Sequence, residues 1–571
     1  MEVYRLWVLP FFYLLISYGA EVVAIKRHGL QSLVSQPYRT SYHFQPSENW
    51  MNAPMYYKGV YHFFYQYNPY GALWGNISWG HAISYDLINW LHLDIALIPD
   101  QPYDINGCWS GSATISPNGK PMILYTGGDT KKHQVQNLAF PKNVSDPLLI
   151  EWVKSSHNPL LTPPKGIDTS SYRDPSTAWM GTDGEWRVLI GSEIDHHGYA
   201  ILYKSKDFIR WSRASKALHF SNKTMMWECP DFFPVSVNGK NGLDTSVVGK
   251  NVRHVLKASF SSHDYYIVGN YDPKTDQYDV GTDFMDSNDV SLRYDYGKFY
   301  ASKSFYDGEK KRRILWSWIS EGDGDSNDIK KGWSGLQSIP RSIWLSKNGK
   351  QLVQWPIKEL EKLRTKKVHY VNKELRGGSL LEISGITASQ ADIEVTFSLL
   401  NLSEADLLKE VVDPQLLCTK YSVSVSGSLG PFGLLILASK DLREYTAVFF
   451  RVFRVNNSFH LLMCADQSRS SLRPEVDKSI YGAFLDLDPR QTKISLRSLI
   501  DHSIIESFGG DGLACITSRV YPKLAIEGQA YLYAFNNGTQ RTEYVIFGEG
   551  SYNLADLFGS DELALYPAIY L

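Results

Sequence analysis

The chain has 571 residues, with 58 Lys and Arg against 60 Asp and Glu and a formal net charge of −2. That balance, with no basic block, excludes nucleic acid and an anionic membrane surface as partners, and 43% hydrophobic content excludes a disordered chain. The length exceeds one ordinary core, so at least two domains are expected. The 36 Tyr and 16 Trp against 21% charged residues suit strand-rich packing and surfaces that stack on sugar rings.

Residues 1–24 read as a secretory signal peptide. Arg5 precedes an apolar run from Leu6 to Ile16, which is too short to span a bilayer, and the small residues Ala20 and Ala24 offer cleavage points. No later stretch approaches a membrane span, so a soluble, secreted protein is expected. Six N-x-S/T sequons, at Asn76, Asn143, Asn222, Asn401, Asn456 and Asn537, agree with that route as candidate glycosylation sites.

Short segments combining aromatic, polar and turn residues follow along the chain. They are His43-Phe44-Gln45-Pro46 running into Asn49-Trp50-Met51-Asn52, then Tyr65-Gln66-Tyr67-Asn68-Pro69, Trp79-Gly80-His81 and Cys108-Trp109-Ser110-Gly111. Two carboxylate-bearing segments come next, Tyr172-Arg173-Asp174-Pro175 and Trp227-Glu228-Cys229-Pro230-Asp231. Glu228 lies between Trp227 and Cys229-Pro230, an apolar neighbourhood suited to a general acid that must hold its proton. Asp174 precedes Pro175, which predicts an extended backbone, and follows Arg173, whose fixed charge is expected to keep the carboxylate ionised. Asp231 reads as a turn or ion-pair residue and His81 as structural. No cluster of His, Cys, Asp and Glu has ligand spacing, so neither metal nor cofactor is expected.

Ser84-Tyr85-Asp86-Leu87-Ile88-Asn89-Trp90 and Ser205-Lys206-Asp207-Phe208-Ile209-Arg210-Trp211 repeat one another, each after a short apolar run. Such recurrence points to like sheets arranged radially. Runs such as Val60 to Tyr67 and Ile314 to Ile319 predict strands, whereas helical periodicity is nearly absent before Gln354. Residues 356–367, with Leu360 and Leu363 among charges, predict a linker with a short helix. Beyond it, alternating stretches such as Asp392 to Leu399 and Thr446 to Val455 predict an antiparallel sandwich.

Together these segments resemble the plant acid invertases and fructan exohydrolases of glycoside hydrolase family 32, from about Tyr38 to the C-terminus. The resemblance implies an all-β chain, with an N-terminal five-bladed β-propeller over 38–355, a linker over 356–367 and a C-terminal β-sandwich over 368–571. It implies a monomeric cell-wall protein that hydrolyses terminal β-D-fructofuranosides, sucrose or fructans, by retaining chemistry. In that pattern Glu228 is the acid/base, Asp174 grips adjacent fructose hydroxyls and stabilises the transition state, and Arg173 supports the carboxylates. Asn52, Gln66, Trp74, Trp109 and Ser110 match the fructose-binding wall. Cys418 and Cys464 match a disulfide pair, which leaves Cys108, Cys229 and Cys515 free and buried. Asp501-His502-Ser503-Ile504-Ile505-Glu506-Ser507-Phe508 matches a motif of the C-terminal module and is assigned structure, not chemistry. Pro230 after Cys229, rather than Val, resembles the cell-wall branch over the vacuolar one.

Two departures matter. Where the family reads W-M-N-D-P-N-G-P-M, its Asp being the nucleophile, this chain reads Trp50-Met51-Asn52-Ala53-Pro54-Met55, three residues shorter. A retaining glycosidase needs two carboxyl groups roughly 5 to 5.5 Å apart, and Ala53 supplies none. Glu48 is the nearest acid upstream, roughly 16 Å away along an extended strand. Plant members of the family commonly encode the D-P-N triplet on its own very short exon, so omission of one such segment accounts for the gap; the alternative is a true loss in a non-catalytic sugar-binding or regulatory pseudoenzyme. Secondly, sucrose-preferring relatives carry an Asp and often a Lys before the position of His263. Here Ser261-Ser262 leaves that loop two residues shorter, which leans towards fructan.

Overall fold

A computed structural model of the chain describes residues 36–51, 54–281, 292–399, 402–456, 458–486, 493–540 and 542–551. The expected signal peptide, Asn52, Ala53 and Asn401 lie outside the described residues. Among the described residues no helix is long and apolar enough to cross a membrane.

The chain is all-β with few helices. Among the described residues, five sheets follow one another between Asn49 and Pro356, and two more, of six and seven strands, occupy Lys367 to Ser551. Pairing is antiparallel within the first five sheets except at one place. The strand Trp333–Ser334 lies parallel to Asn49–Met51, with Asn49 opposite Trp333 and Trp50 opposite Ser334. The late strand thus completes the first sheet and ties the end of this region to its start.

The repeated segments form the same turn. Ser84 ends one strand and its Oγ accepts from the Leu87 N–H at 2.8 Å, while Asp86 Oδ1 accepts from Ile88 and Asn89 at 2.9 and 2.8 Å. Ser205 and Asp207 repeat this with Phe208, Ile209 and Arg210 at 2.9, 3.0 and 2.8 Å. Leu87 and Phe208 both take a left-handed backbone, φ 67° and 66°, and both side chains are buried. The motif therefore couples a tight turn to one apolar anchor per sheet.

Among the described residues, helices occur where periodicity has no room to act. Asp325–Lys331 and Pro414–Lys420 have seven residues each, too few for an apolar stripe to repeat. Gly332 in the left-handed region ends the first, and the Asp413 carboxylate accepts from the Gln415 and Leu416 N–H groups to start the second. A 3-10 helix at Lys358–Leu363 occupies the expected linker.

The last two sheets enclose a core containing Phe397, Phe432, Ile436 and Phe450. Phe432–Ala438 is buried at every position, so its sequence is continuously apolar rather than alternating. A buried charge network joins the two regions. His43 Nδ1 lies 2.9 Å from Asp501 and Nε2 3.0 Å from Glu506, and Arg341 bridges Glu506 at 2.5 Å and Asp295 at 2.9 Å. The Asp501 to Phe508 motif is structural in this fold, because its two acids hold the N-terminal segment.

Candidate active site

Three sheets open on strands with the same irregularity. In Cys108–Ile115 the pairing steps from Cys108–Gly127 to Gly111–Tyr125; in Glu228–Ser236, from Glu228–Ser259 to Asp231–Lys257; in Tyr300–Asp307, from Tyr300–Trp318 to Lys303–Trp316. Each first strand carries one residue more than its partner, a β-bulge that re-aims side chains at the strand start. Trp109, Ser110, Glu228, Cys229, Tyr300 and Ala301, all at or within these bulges, line one cavity of about 360 Å³. Trp50, Gln66, Trp74, Gln134, Arg173, Asp174 and Trp318 complete it. The structure thus brings together every described residue expected for the carboxylate set and the sugar wall.

Glu228 is engaged at both oxygens. Arg173 donates to Oε1 from Nη2 at 2.8 Å and from Nε at 3.2 Å, and the Tyr300 hydroxyl donates to Oε2. The apolar neighbourhood expected from its sequence neighbours is not what the carboxyl meets. Successive residues of a strand face opposite ways, and Trp227 is fully buried in another cluster with its indole N–H donated to Thr224 Oγ1 at 2.8 Å. Arg173 is oriented in turn by the Ser170 carbonyl at 2.8 Å and Gln134 Oε1 at 3.2 Å.

Asp174 departs from expectation twice. Its backbone is left-handed, φ 66°, not extended. Pro175 disfavours the right-handed helical region but leaves this one open to Asp, and two hydrogen bonds fix it. Its N–H donates to Thr126 Oγ1 at 2.8 Å, and its Oδ2 accepts from the Cys229 N–H at 2.9 Å. Its charge state is also not set by Arg173 alone. Burial pushes its carboxyl above the ordinary value of 3.8 and the Glu228 charge adds to this, while Arg173, the Cys229 N–H and Lys303 oppose. Burial dominates because the side chain is 5% exposed and the Arg173 Nε stands 3.9 Å from Oδ2.

The wall is aromatic and amide. Gln66 Nε2 donates to Ser110 Oγ, Trp74 stands 58% exposed at the rim, and its ring meets Trp109 edge-on at 5.6 Å. Trp50 and Trp318 form a second edge-on pair at 5.6 Å. Trp79 supports the wall by donating to the Trp109 carbonyl at 3.0 Å, and His81 is buried against His62 at 3.1 Å. Asp231 serves neither as a turn nor as an ion-pair residue. It is buried in its strand, where Oδ2 accepts from the Ser304 N–H and Oγ at 3.0 and 2.6 Å and joins two sheets.

Remaining residues take the following places. Cys418 and Cys464 are disulfide-bonded, and Cys108, Cys229 and Cys515 are free and buried. Asn76, Asn143, Asn222 and Asn456 are exposed, whereas Asn537 is half-buried and its amide donates to the Val423 carbonyl at 3.1 Å. Glu321, Asp323 and Asp328 come together, with the Lys331 ammonium among them at 2.8 to 3.0 Å and Arg519 Nη2 2.6 Å from Glu321. Tyr300, Gln134 and Trp318 were missed by sequence reasoning, since Tyr300 and Gln134 lie in no recognisable pattern and Trp318 belongs to the Ile314 to Ile319 run, which reads only as a strand.

In the first sheet two short strands pair with Val60–Asn68. Met51 pairs with Tyr67 in the strand Asn49–Met51 and Pro54 with Phe63 in the strand Pro54–Tyr57. Glu48 is exposed and does not line the pocket.

Residues 43–356 match the family model described as Glycosyl hydrolases family 32 N-terminal domain, and residues 359–547 match the one described as Glycosyl hydrolases family 32 C terminal. An insoluble β-fructofuranosidase isoenzyme of Arabidopsis thaliana is 55% identical over 540 residues, 92% of each chain. Fructan 6-exohydrolase of Beta vulgaris is 54% identical over 518 residues, 88% of this chain and 85% of its own. The crystal structure of fructan 1-exohydrolase IIa from Cichorium intybus superposes with a TM-score of 0.89 at 55% identity, covering 91% of this chain and 98% of that one. By both family models and by relatives matched along nearly its whole length, the chain belongs to glycoside hydrolase family 32.

Proposed function

We propose that this protein is a secreted, cell-wall-type β-fructosidase scaffold whose pocket binds the terminal β-D-fructofuranosyl unit of sucrose or a fructan, and that the chain as written lacks the attacking carboxylate. The five N-terminal sheets are the blades of a propeller around the pocket, with a β-sandwich following. Glu228, aimed by its bulge and held by Arg173 and Tyr300, protonates the glycosidic oxygen as the acid/base. Asp174 accepts fructose hydroxyls, and Gln66, Ser110, Trp74 and Trp109 form the sugar wall. Chicory fructan 1-exohydrolase IIa, 55% identical, has been crystallised with 1-kestose, which supports the substrate class.

The observation that carries the reading is the convergence of Glu228, Asp174 and Arg173 with the aromatic wall on one pocket, three bulged strands presenting their side chains to it. The sequence Trp50-Met51-Asn52-Ala53-Pro54-Met55 supplies no attacking carboxylate. Retaining hydrolysis needs a second carboxyl opposite the acid, and loss of a nucleophile costs several orders of magnitude in rate.

The test is an assay on sucrose, inulin and levan before and after replacing Ala53 by Asp-Pro-Asn-Gly. The chain as written should bind 1-kestose and hydrolyse all three at background, and the replaced chain should hydrolyse with retention of configuration. Family-typical turnover in the unaltered chain, abolished by Glu228→Gln, would show that another group attacks.

A further inference from the structure

Two lysines, Lys257 and Lys303, are buried beneath the pocket. Lys257 Nζ donates to the Cys229 carbonyl at 3.2 Å, the Ser302 carbonyl at 2.8 Å and Ser259 Oγ at 2.7 Å, and stands 3.4 Å from Asp264. Lys303 Nζ donates to the Pro230 carbonyl at 2.9 Å. Cys229 and Pro230 are the two residues that follow Glu228 in its bulge, so each ammonium holds one carbonyl of the segment that aims the acid. Cys229 also supplies the N–H that Asp174 accepts.

Lys303 differs from Lys257 in having no carboxylate at ion-pair distance among the described residues. Two cavities of about 20 Å³ touch it, one shared with Gln66 and Ser110 and the other with Ser112, Thr177 and Ser304. Each has room and polar partners for one water, which would complete the ammonium's hydrogen bonds. Burying a charge without a counter-ion is unfavourable, and an apolar side chain of that length would pack there more cheaply. Stability therefore does not explain a lysine at this position.

We propose that Lys303, with Lys257, is a positioning residue of the fructoside site: the two ammonium groups hold the Pro230 and Cys229 carbonyls and so fix the bulge that aims Glu228. This rests on the reading of Glu228 given above.

The test uses the full chain with Asp-Pro-Asn-Gly in place of Ala53, assayed on inulin. Lys303→Met leaves the Pro230 carbonyl without its donor and should lower kcat about tenfold or more with KM nearly unchanged, since Glu228 is misaimed while the sugar wall is intact. Lys303→Gln keeps a donor for that carbonyl and should recover most of the loss. If the Met variant does not fold, Lys257→Met, which releases the Cys229 carbonyl, takes its place and should show the same split. An unchanged kcat in the Met variant, or a loss that the Gln variant does not recover, overturns the positioning role. No hydrolysis by the chain with both lysines intact counts against the proposed function instead.

Discussion

Arg173 donates two hydrogen bonds to one oxygen of Glu228, from Nη2 at 2.8 Å and Nε at 3.2 Å. The same Nε stands 3.9 Å from Asp174 Oδ2, so one guanidinium spans both carboxyls of the pocket. A lysine offers a single point charge and cannot reproduce that planar fork. We expect Arg173→Lys to weaken 1-kestose binding about 10- to 100-fold, in line with roughly 1.5–3 kcal/mol for hydrogen bonds to charged groups. Isothermal calorimetry on the two proteins checks it, and an unchanged Kd would remove Arg173 from the site.

Much of that pocket was legible in the sequence because its residues sit in contiguous patterns. Arg173-Asp174-Pro175 and Trp227-Glu228-Cys229-Pro230 mark both carboxyls, and the Ser-x-Asp turns mark repeating sheets. What stayed hidden depends on backbone shape. Left-handed φ at Asp174, Cys229 and Ala301 arises from bulges and cross-sheet hydrogen bonds, which local propensity does not encode. Tyr300 reaches Glu228 from 72 residues away, and nothing in Tyr300-Ala301-Ser302-Lys303 distinguishes it from an ordinary strand. Burial likewise overrode the local charge argument at Asp174, since desolvation is a property of the packed pocket rather than of neighbours in sequence.

The His43 clamp between the two regions should make stability depend on pH on both sides. Burial alone disfavours the imidazolium, but hydrogen bonds to Asp501 and Glu506 outweigh it and hold His43 above its ordinary 6.5. That stabilisation is complete below 6.5 and is lost as pH rises through the raised value. Burial opposes ionisation of Asp501 and Glu506 too, yet His43 and its charge hold Asp501 below 3.8, and Arg341 with His43 holds Glu506 below 4.5. Their contribution is complete above those values and fades as pH falls through the lowered ones. We expect Tm to be highest between about 4.5 and 6.5, and His43→Gln to lower it by several degrees there, a buried pair being worth roughly 3 kcal/mol when broken. Differential scanning fluorimetry across pH 3 to 9 gives the answer; an alkaline decline that persists unchanged in the variant would locate the titrating group elsewhere.

The disulfide ties the short helix Pro414–Lys420 to the strand Ser458–Asp466 across a sequence separation of 46. Closing a loop of that length removes about 4 kcal/mol of unfolded-chain entropy. The double variant Cys418→Ser, Cys464→Ser should therefore lower the denaturation midpoint of the last two sheets while leaving 1-kestose binding intact, because neither residue lines the pocket. Urea titration followed by circular dichroism, beside a binding curve, separates the two effects. A loss of binding with the midpoint unchanged would contradict this assignment.

Specificity is expected to lie in the hairpin joining Val252–Phe260 to His263–Asp272. Phe260 pairs with His263, which leaves Ser261 and Ser262 as a two-residue turn, and both have positive φ, 48° and 62°. Such a turn matches the twist of the strands and projects nothing further; both serines are exposed and neither lines the pocket. A glucose unit presents hydroxyls that a site discriminates strongly only when charged or bidentate partners meet them, and this turn offers none. In the protein restored by Asp-Pro-Asn-Gly we expect kcat/KM on inulin or levan to exceed that on sucrose. Lengthening the turn by two residues to carry an Asp and a Lys should move the ratio towards sucrose by about tenfold or more. Paired kcat/KM measurements on both variants decide it, and a sucrose preference in the restored protein with Ser261-Ser262 unaltered would place the glucose subsite on other residues of the rim.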